Sequence, residues 1–131
     1  MNSKMPEIQY VAGNCNIGKS EIRGRQLVAL LGLFFAISTL LTFNAVSAPV
    51  VIRLGIFFPL MVASVGFFQS RSKFCLAYAF AGTFNIGKLG EIKRVAAKAD
   101  RAADRKTALK ILGKSFMLAA LATGVVLVLP F

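Results

Sequence analysis

One stretch of this 131-residue chain fits a known chemical pattern: Gly13-Asn14-Cys15-Asn16-Ile17-Gly18-Lys19-Ser20 carries GxxxxGKS at every fixed position. In that pattern loop amides cradle phosphates, the lysine reaches their charge and the hydroxyl meets magnesium. Gly13, Gly18, Lys19 and Ser20 are therefore the candidate phosphate contacts. A nucleotide site also needs a helix N-terminus facing the phosphates and a second carboxylate for the metal. The acids here are Glu7, Glu21, Glu91, Asp100 and Asp104, none behind an apolar strand, and an uncharged run begins seven residues after Ser20. Nucleotide chemistry is not expected; loop amides and Lys19 holding a lipid phosphate is the milder alternative.

Cys15 and Cys75 are the second candidates, a possible thiol site. The chain has no histidine, which excludes imidazole metal ligation and histidine acid–base catalysis. Two thiols do not complete a metal site, and on a cytoplasmic face they do not form a structural disulfide. The plain reading is two small buried apolar residues. The functional one is a thiolate activated by Lys19 or Lys73, or four thiols gathered across a dimer. No catalytic residue, metal or cofactor is assigned.

What must position these residues is a membrane. Hydrophobic residues make up 56% of the chain and the mean hydropathy is +0.69, too apolar for an ordinary soluble fold. Leu27 to Phe43 is seventeen residues without a charge, the lower limit for crossing about 30 Å of hydrocarbon at 1.5 Å per residue. Residues 50–68 form a second run containing only Arg53, free to snorkel to headgroups, and Pro59, which predicts a kink. Residues 74–86 are apolar but too short to cross and read as an interfacial segment. Residues 89–112 place Ile92, Val95, Ala96, Ala99, Ala102, Ala103 and Leu109 at helical spacing, with Arg94, Lys98, Arg101, Asp104 and Arg105 on the other face. They predict an amphipathic helix, and residues 113–131 a third span. Small-xxx-small pairs, Gly32/Ala36 and Ala120/Gly124, are candidate packing faces.

Sixteen Lys and Arg stand against five acids, and eleven of the sixteen lie between Arg71 and Lys114. Beside apolar spans such charge points to anionic lipid and not to nucleic acid. The positive-inside rule puts the N-terminal segment 1–25 and residues 71–114 in the cytoplasm. With almost no ionisable group inside the spans, transport is not expected.

The phosphate-loop stretch has an echo. Ala12 to Lys19 and Ala81 to Lys88 both read AGxxNIGK, which suggests two matching collars where helices enter the bilayer, with Asn and Gly serving as caps.

Asn16-Ile17-Gly18, then Glu21, Arg25 and Gly32 leading into an apolar helix, followed by Phe74-Cys75-Leu76-Ala77-Tyr78 and Gly82, resembles the YgaP-like inner-membrane hairpin domains of bacteria over residues 14–85. The resemblance implies a bacterial inner membrane and dimerisation through the helices. This chain departs from it in having Leu76 after the cysteine, and in its basic helix and third span.

The expectation is an all-α integral membrane protein, one domain over 1–131, with three transmembrane helices (27–43, 50–68, 113–131) and a cytoplasmic basic amphipathic helix. Its role is that of a small non-catalytic accessory, assembly or scaffold subunit in the bacterial inner membrane. Lys88, Lys93, Arg94, Lys98, Arg101 and Arg105 are the expected contacts with anionic lipid headgroups or with a partner, either a larger membrane complex or a second copy. A thiol protein using Cys15 and Cys75, and a phosphate binder at Gly13–Ser20, are the alternatives.

Overall fold

The computed structural model describes residues 9–88 and 90–131. Residues 1–8 of the expected N-terminal segment, and Leu89 at the start of the expected amphipathic helix, lie outside the described residues. The elements are α1 (Lys19–Val46), α2 (Val50–Arg53), a 3-10 turn (Leu54–Ile56), α3 (Phe57–Ser72), α4 (Leu76–Ala81), β1 (Thr83–Phe84), β2 (Lys93–Arg94) and α5 (Lys98–Leu127). Three helical stretches, Lys19–Val46, Val50–Ser72 and Lys98–Leu127, are long and apolar enough to cross a membrane.

The first hairpin closes where α1 ends at Ser47, whose left-handed backbone (φ 50°) turns its N–H back to the carbonyls of Phe43 and Asn44. Pro59 acts upstream of itself. It has no N–H for the carbonyl four residues back and its ring crowds that turn, and Gly55, four residues back, lies in the 3-10 turn that separates α2 from α3.

Small residues set the distance between α1 and α3. A methyl group on Gly32 would lie 2.5 Å from the Ala63 nitrogen, and one on Gly66 would lie 2.6 Å from that of Ala29, so the two backbones touch. Ala36 is buried on the same face of α1, as the Gly32/Ala36 spacing suggested. Ala120 and Gly124 instead face outward. The inner face of α5 is Asp104, Ala108, Ile111, Ser115, Ala119, Thr123 and Val126. The Ser115 and Thr123 hydroxyls donate to carbonyls one turn back, Ile111 at 2.8 Å and Ala119 at 2.7 Å, so neither is left unpaired in the interior.

Two expectations are corrected here. The amphipathic helix 89–112 and the span 113–131 are not separate: residues 90–97 are not helical, and one helix runs unbroken from Lys98 to Leu127. The backbone of 93–95 is taken by pairing, Thr83 with Arg94 and Phe84 with Lys93, continued by the Val95 N–H on the Gly82 carbonyl at 2.9 Å. From Lys98 to Leu127 no proline intervenes, and Gly113, at the junction, costs only about 1 kcal/mol. Arg53, for its part, does not snorkel. It is buried at 5% exposure and donates to the carbonyls of Ala48 (2.9 Å), Val126 (3.3 Å), Leu127 (3.3 Å), Leu129 (2.9 Å) and Phe131. The last carbonyls of a helix lack intrahelical partners and carry negative potential, and Arg53 supplies both donors and charge for α5.

Candidate functional site

At the opposite end from Arg53 the two AGxxNIGK copies meet. Ile17 pairs with Asn85 in a parallel bridge. The Asn85 N–H donates to the Asn16 carbonyl and the Gly18 N–H to the Asn85 carbonyl, each at 2.9 Å. Asn16, Ile17 and Asn85 are fully buried. Only glycine fits at position 18, because a methyl group would run into the Ile86 carbonyl. The reading of the copies as two helix-capping collars is thereby corrected. Gly18 does precede α1, without a side-chain cap, but Asn85–Lys88 leads into a loop. What the shared residues make is a contact with each other.

The side chain of Asn16 extends that contact. Its Nδ2 donates to the Cys75 carbonyl (3.1 Å) and its Oδ1 accepts the Cys75 N–H (2.6 Å). This pins the turn between α3 and α4. The turn is further held by the Gln69 Oε1, which accepts the Leu76 N–H at 2.9 Å.

The first copy is also locked onto α5. Asp104, fully buried, accepts the Gly13 N–H and the Tyr10 hydroxyl, both at 2.7 Å. The Thr107 hydroxyl donates to the Gly13 carbonyl at 2.6 Å, and Tyr10 stacks on Phe84 with centroids 4.4 Å apart. Asp104 was placed on the solvated face of a surface helix by its charge; the structure makes it an internal acceptor. Burial, and then the hydrogen bond to Asp104, push the Tyr10 phenol above its ordinary range.

This arrangement decides what Gly13–Ser20 can offer an anion. The Gly13 amide is on a carboxylate, the amides of Asn14 and Cys15 are on the Val11 carbonyl at 2.9 Å, that of Asn16 is on Lys73 at 3.1 Å and that of Gly18 is on Asn85. Neither candidate glycine has an amide free for phosphate. Lys19 and Ser20 are exposed at the start of α1.

The two cysteines are free and have separate surroundings. Cys15, half-buried, directs its thiol at the Ile17 carbonyl at 3.5 Å; burial raises its pKa, against the opposing pull of that bond and of Lys73. Cys75 is 1% exposed and its sulfur accepts a hydrogen bond from Arg25 at 2.9 Å. A polar string leads on from there. Arg25 pairs with Glu21 at 3.3 Å, and the Glu21 Oε1 accepts the Tyr78 hydroxyl at 2.8 Å. Burial, then the bond to Glu21, raise the Tyr78 pKa. Of this string only Cys75 was a candidate for chemistry; Glu21, Arg25 and Tyr78 entered among the residues of the family resemblance. The Glu21–Arg25 pair at i, i+4 ahead of an apolar run was the signal available for the rest.

Of the expected basic contacts, Lys88, Lys93, Arg94, Lys98 and Arg105 are exposed. Arg101 is half-buried and donates to the carbonyls of Val95 (2.8 Å) and Ala96 (3.2 Å), so it fastens the strand exit to α5. Lys19, Arg23, Arg71, Lys73, Lys106, Lys110 and Lys114 complete an exposed basic crown. Glu21–Arg25 is the one salt bridge among the described residues, and both Glu21 and Asp104 point inward.

Comparison with family models, with curated proteins and with solved structures finds no match to this chain. The likeness to hairpin domains therefore stands on the residues quoted for it.

Proposed function

We propose that this chain is a non-catalytic multi-pass protein of the bacterial inner membrane, with its basic end on the cytoplasmic side, serving as an accessory or scaffold subunit. The observation that carries this is the sorting of charge at one end of the bundle. Glu21 and Asp104 are consumed in internal bonds, while the exposed cations of the crown take no part in a salt bridge among the described residues. With Glu21 and Asp104 buried, Glu91 and Asp100 are the acids left at the surface among the described residues, and the basic excess there presents a surface for an anion. Among the described residues the buried polar side-chain atoms bond within the chain, save the Asn85 Oδ1 and the Arg25 Nε.

The crown divides by height. Lys98 lies sixteen residues before Lys114 on one helix, about 24 Å at 1.5 Å per residue. With the uncharged part of α5 in the bilayer, Lys114, Lys110, Arg23 and Arg71 stand among headgroups. Lys93, Arg94, Lys98 and Arg105 stand clear of them and suit an acidic face of a partner protein. Purification of the tagged chain from its own membrane in gentle detergent, with mass spectrometry of the companions and extraction of the lipids, tests this reading. A stoichiometric partner lost on replacing Lys93, Arg94, Lys98 and Arg105 by glutamine supports the scaffold role. No partner and no enrichment of anionic lipid in the parent protein would refute it.

A further inference from the structure

The three long helices stand with α3 in the middle. It packs on both α1 and α5, which touch each other little, so a cleft opens over one face of α3. A groove of about 400 Å³ fills that cleft, lined by Leu30 and Leu33 of α1, Leu60, Ala63 and Phe67 of α3, and Leu118 of α5. The one hydroxyl in its wall, that of Ser64, already donates to the Leu60 carbonyl at 2.8 Å. Toward the charged end the groove continues into a second hollow that shares Leu30 and Phe67 and reaches Gln26, Ser70 and Arg71.

Each helix brings a cation to that end. Arg71 is one turn beyond Phe67, Lys114 one turn before Leu118, and Arg23 three residues before Gln26; residues three or four apart share a helix face. All three are exposed and take no part in a salt bridge among the described residues. A hollow on the opposite side of the α1–α3 seam, walled by Val28, Leu31, Phe35, Phe58, Pro59 and Val62, has no polar end.

We propose that the α1–α3–α5 groove binds one anionic glycerophospholipid, an acyl chain lying along Leu33, Leu60 and Leu118 and the headgroup phosphate held among Arg23, Arg71 and Lys114. This rests on the reading above that the charged end lies at the headgroups. Polarity carries the assignment: an apolar channel topped by three cations complements an amphiphile with one negative end. Size supports it. A helix 10–12 Å across occupies ~400–600 Å³ per turn, so the groove holds about one turn of a partner helix, whereas a single hydrocarbon chain is narrow enough to run its length.

The test is photo-crosslinking of the full chain in phosphatidylcholine nanodiscs doped with phosphatidylglycerol bearing a diazirine on its acyl chain, beside the same probe on phosphatidylcholine, with sites mapped by mass spectrometry. The expected result is phosphatidylglycerol adducts concentrated on Leu30, Leu33, Leu60 and Leu118. Ala122→Phe, which narrows the groove, should remove them, as should Leu30→Trp at a position already 64% exposed. The double change Arg71→Gln with Lys114→Gln should lower them on the order of tenfold, as expected for two cations near an anionic surface. Adducts spread evenly over outward residues such as Phe34, Leu41, Leu121 and Val125, with phosphatidylglycerol still enriched around the protein, would overturn the groove and leave the headgroup reading standing. No preference for phosphatidylglycerol over phosphatidylcholine in adducts or surrounding lipid would overturn both.

Discussion

Gly13 and Gly82, the glycines near the start of the two AGxxNIGK copies, hold nearly the same backbone, φ 74° and 72°. One lies in a tight turn ahead of α1, closed by the Val11–Cys15 bridge; the other ends α4. Asn16 and Asn85 are both fully buried, yet Asn16 spends both ends of its amide on Cys75, 59 residues away. Asn85 donates to Lys88, three residues on, and its Oδ1 has no partner among the described residues. The shared glycines hold nearly the same backbone angle, and the shared asparagines differ in reach. The first copy ties the bundle together, and the second supplies the edge to which it is tied.

The glycines that close the two copies give the largest test. A methyl group at Gly18 meets backbone, the Ile86 carbonyl, whereas one at Gly87 meets only the flexible carboxylate of Glu91. Gly18→Ala should cost ~3 kcal/mol of stability, in the upper range of overpacking, and Gly87→Ala no more than ~0.5 kcal/mol. Thermal unfolding in one detergent reads both. Equal losses would mean that the copies do not differ as described.

The asparagines come next. Asn16→Ala orphans the buried N–H of Cys75, whose carbonyl keeps the Ala79 N–H, and should cost ~2 kcal/mol, against ~1 kcal/mol for Asn85→Ala. The Cys75 sulfur, 1% exposed, is a reporter of the same difference. It should resist maleimide in the parent and in Asn85→Ala, and label readily in Asn16→Ala. Labelling that follows Asn85 instead would reverse the roles of the two copies.

The three long apolar helices were legible because an uncharged run of that length leaves little but a helix able to cross a bilayer: residues 27–43 fall within α1, 50–68 within the stretch from α2 to α3, and 113–131 overlap the second half of α5. The union of residues 98–127 into one helix was not legible, because a change from charged to apolar surface marks a change of surroundings and leaves backbone hydrogen bonding unbroken. Asp104 and Arg53 were misplaced for a related reason. A charged residue is assigned to solvent unless its partner is known, and their partners, Gly13 at a separation of 91 residues and Val126 at 73, are set by the tertiary fold. The repeat was legible and its purpose was not, since a parallel bridge between residues 17 and 85 leaves no trace in local periodicity.

Tyr10 joins the copies, stacking on Phe84 of the second while its hydroxyl meets Asp104 beside the first. Its pKa is raised on folding, chiefly by burial. Its contribution is therefore complete below the ordinary value of 10.0 and is lost as pH climbs through the raised one. Tyr78, the other of the two tyrosines, shifts the same way. The ultraviolet signal of tyrosinate in the folded protein should thus lag that of the unfolded chain in an alkaline titration. Tyr10→Phe should cost about 1 kcal/mol and remove part of the lag. Two tyrosines titrating at the ordinary value would show that the Tyr10–Asp104 contact does not hold in solution.

The smallest effect belongs to Cys15, which occupies in the first copy the place Phe84 holds in the second. Phe84 carries the Tyr10 stack, while the Cys15 thiol, a weak donor, gives only a 3.5 Å bond to the Ile17 carbonyl. Cys15→Ala should therefore change stability by no more than ~0.5 kcal/mol, where Phe84→Ala loses a stacked ring. Burial sets the thiol pKa above its ordinary 9.0 and outweighs Lys73, so little thiolate exists near neutrality. Alkylation of Cys15 by iodoacetamide should be slower at pH 7.5 than that of a free cysteine, and its rate should keep rising beyond pH 9, since only the thiolate reacts. A rate already level by pH 8 would mean that Lys73 dominates the site, and that the first copy holds an activated thiol where the second holds a packing ring.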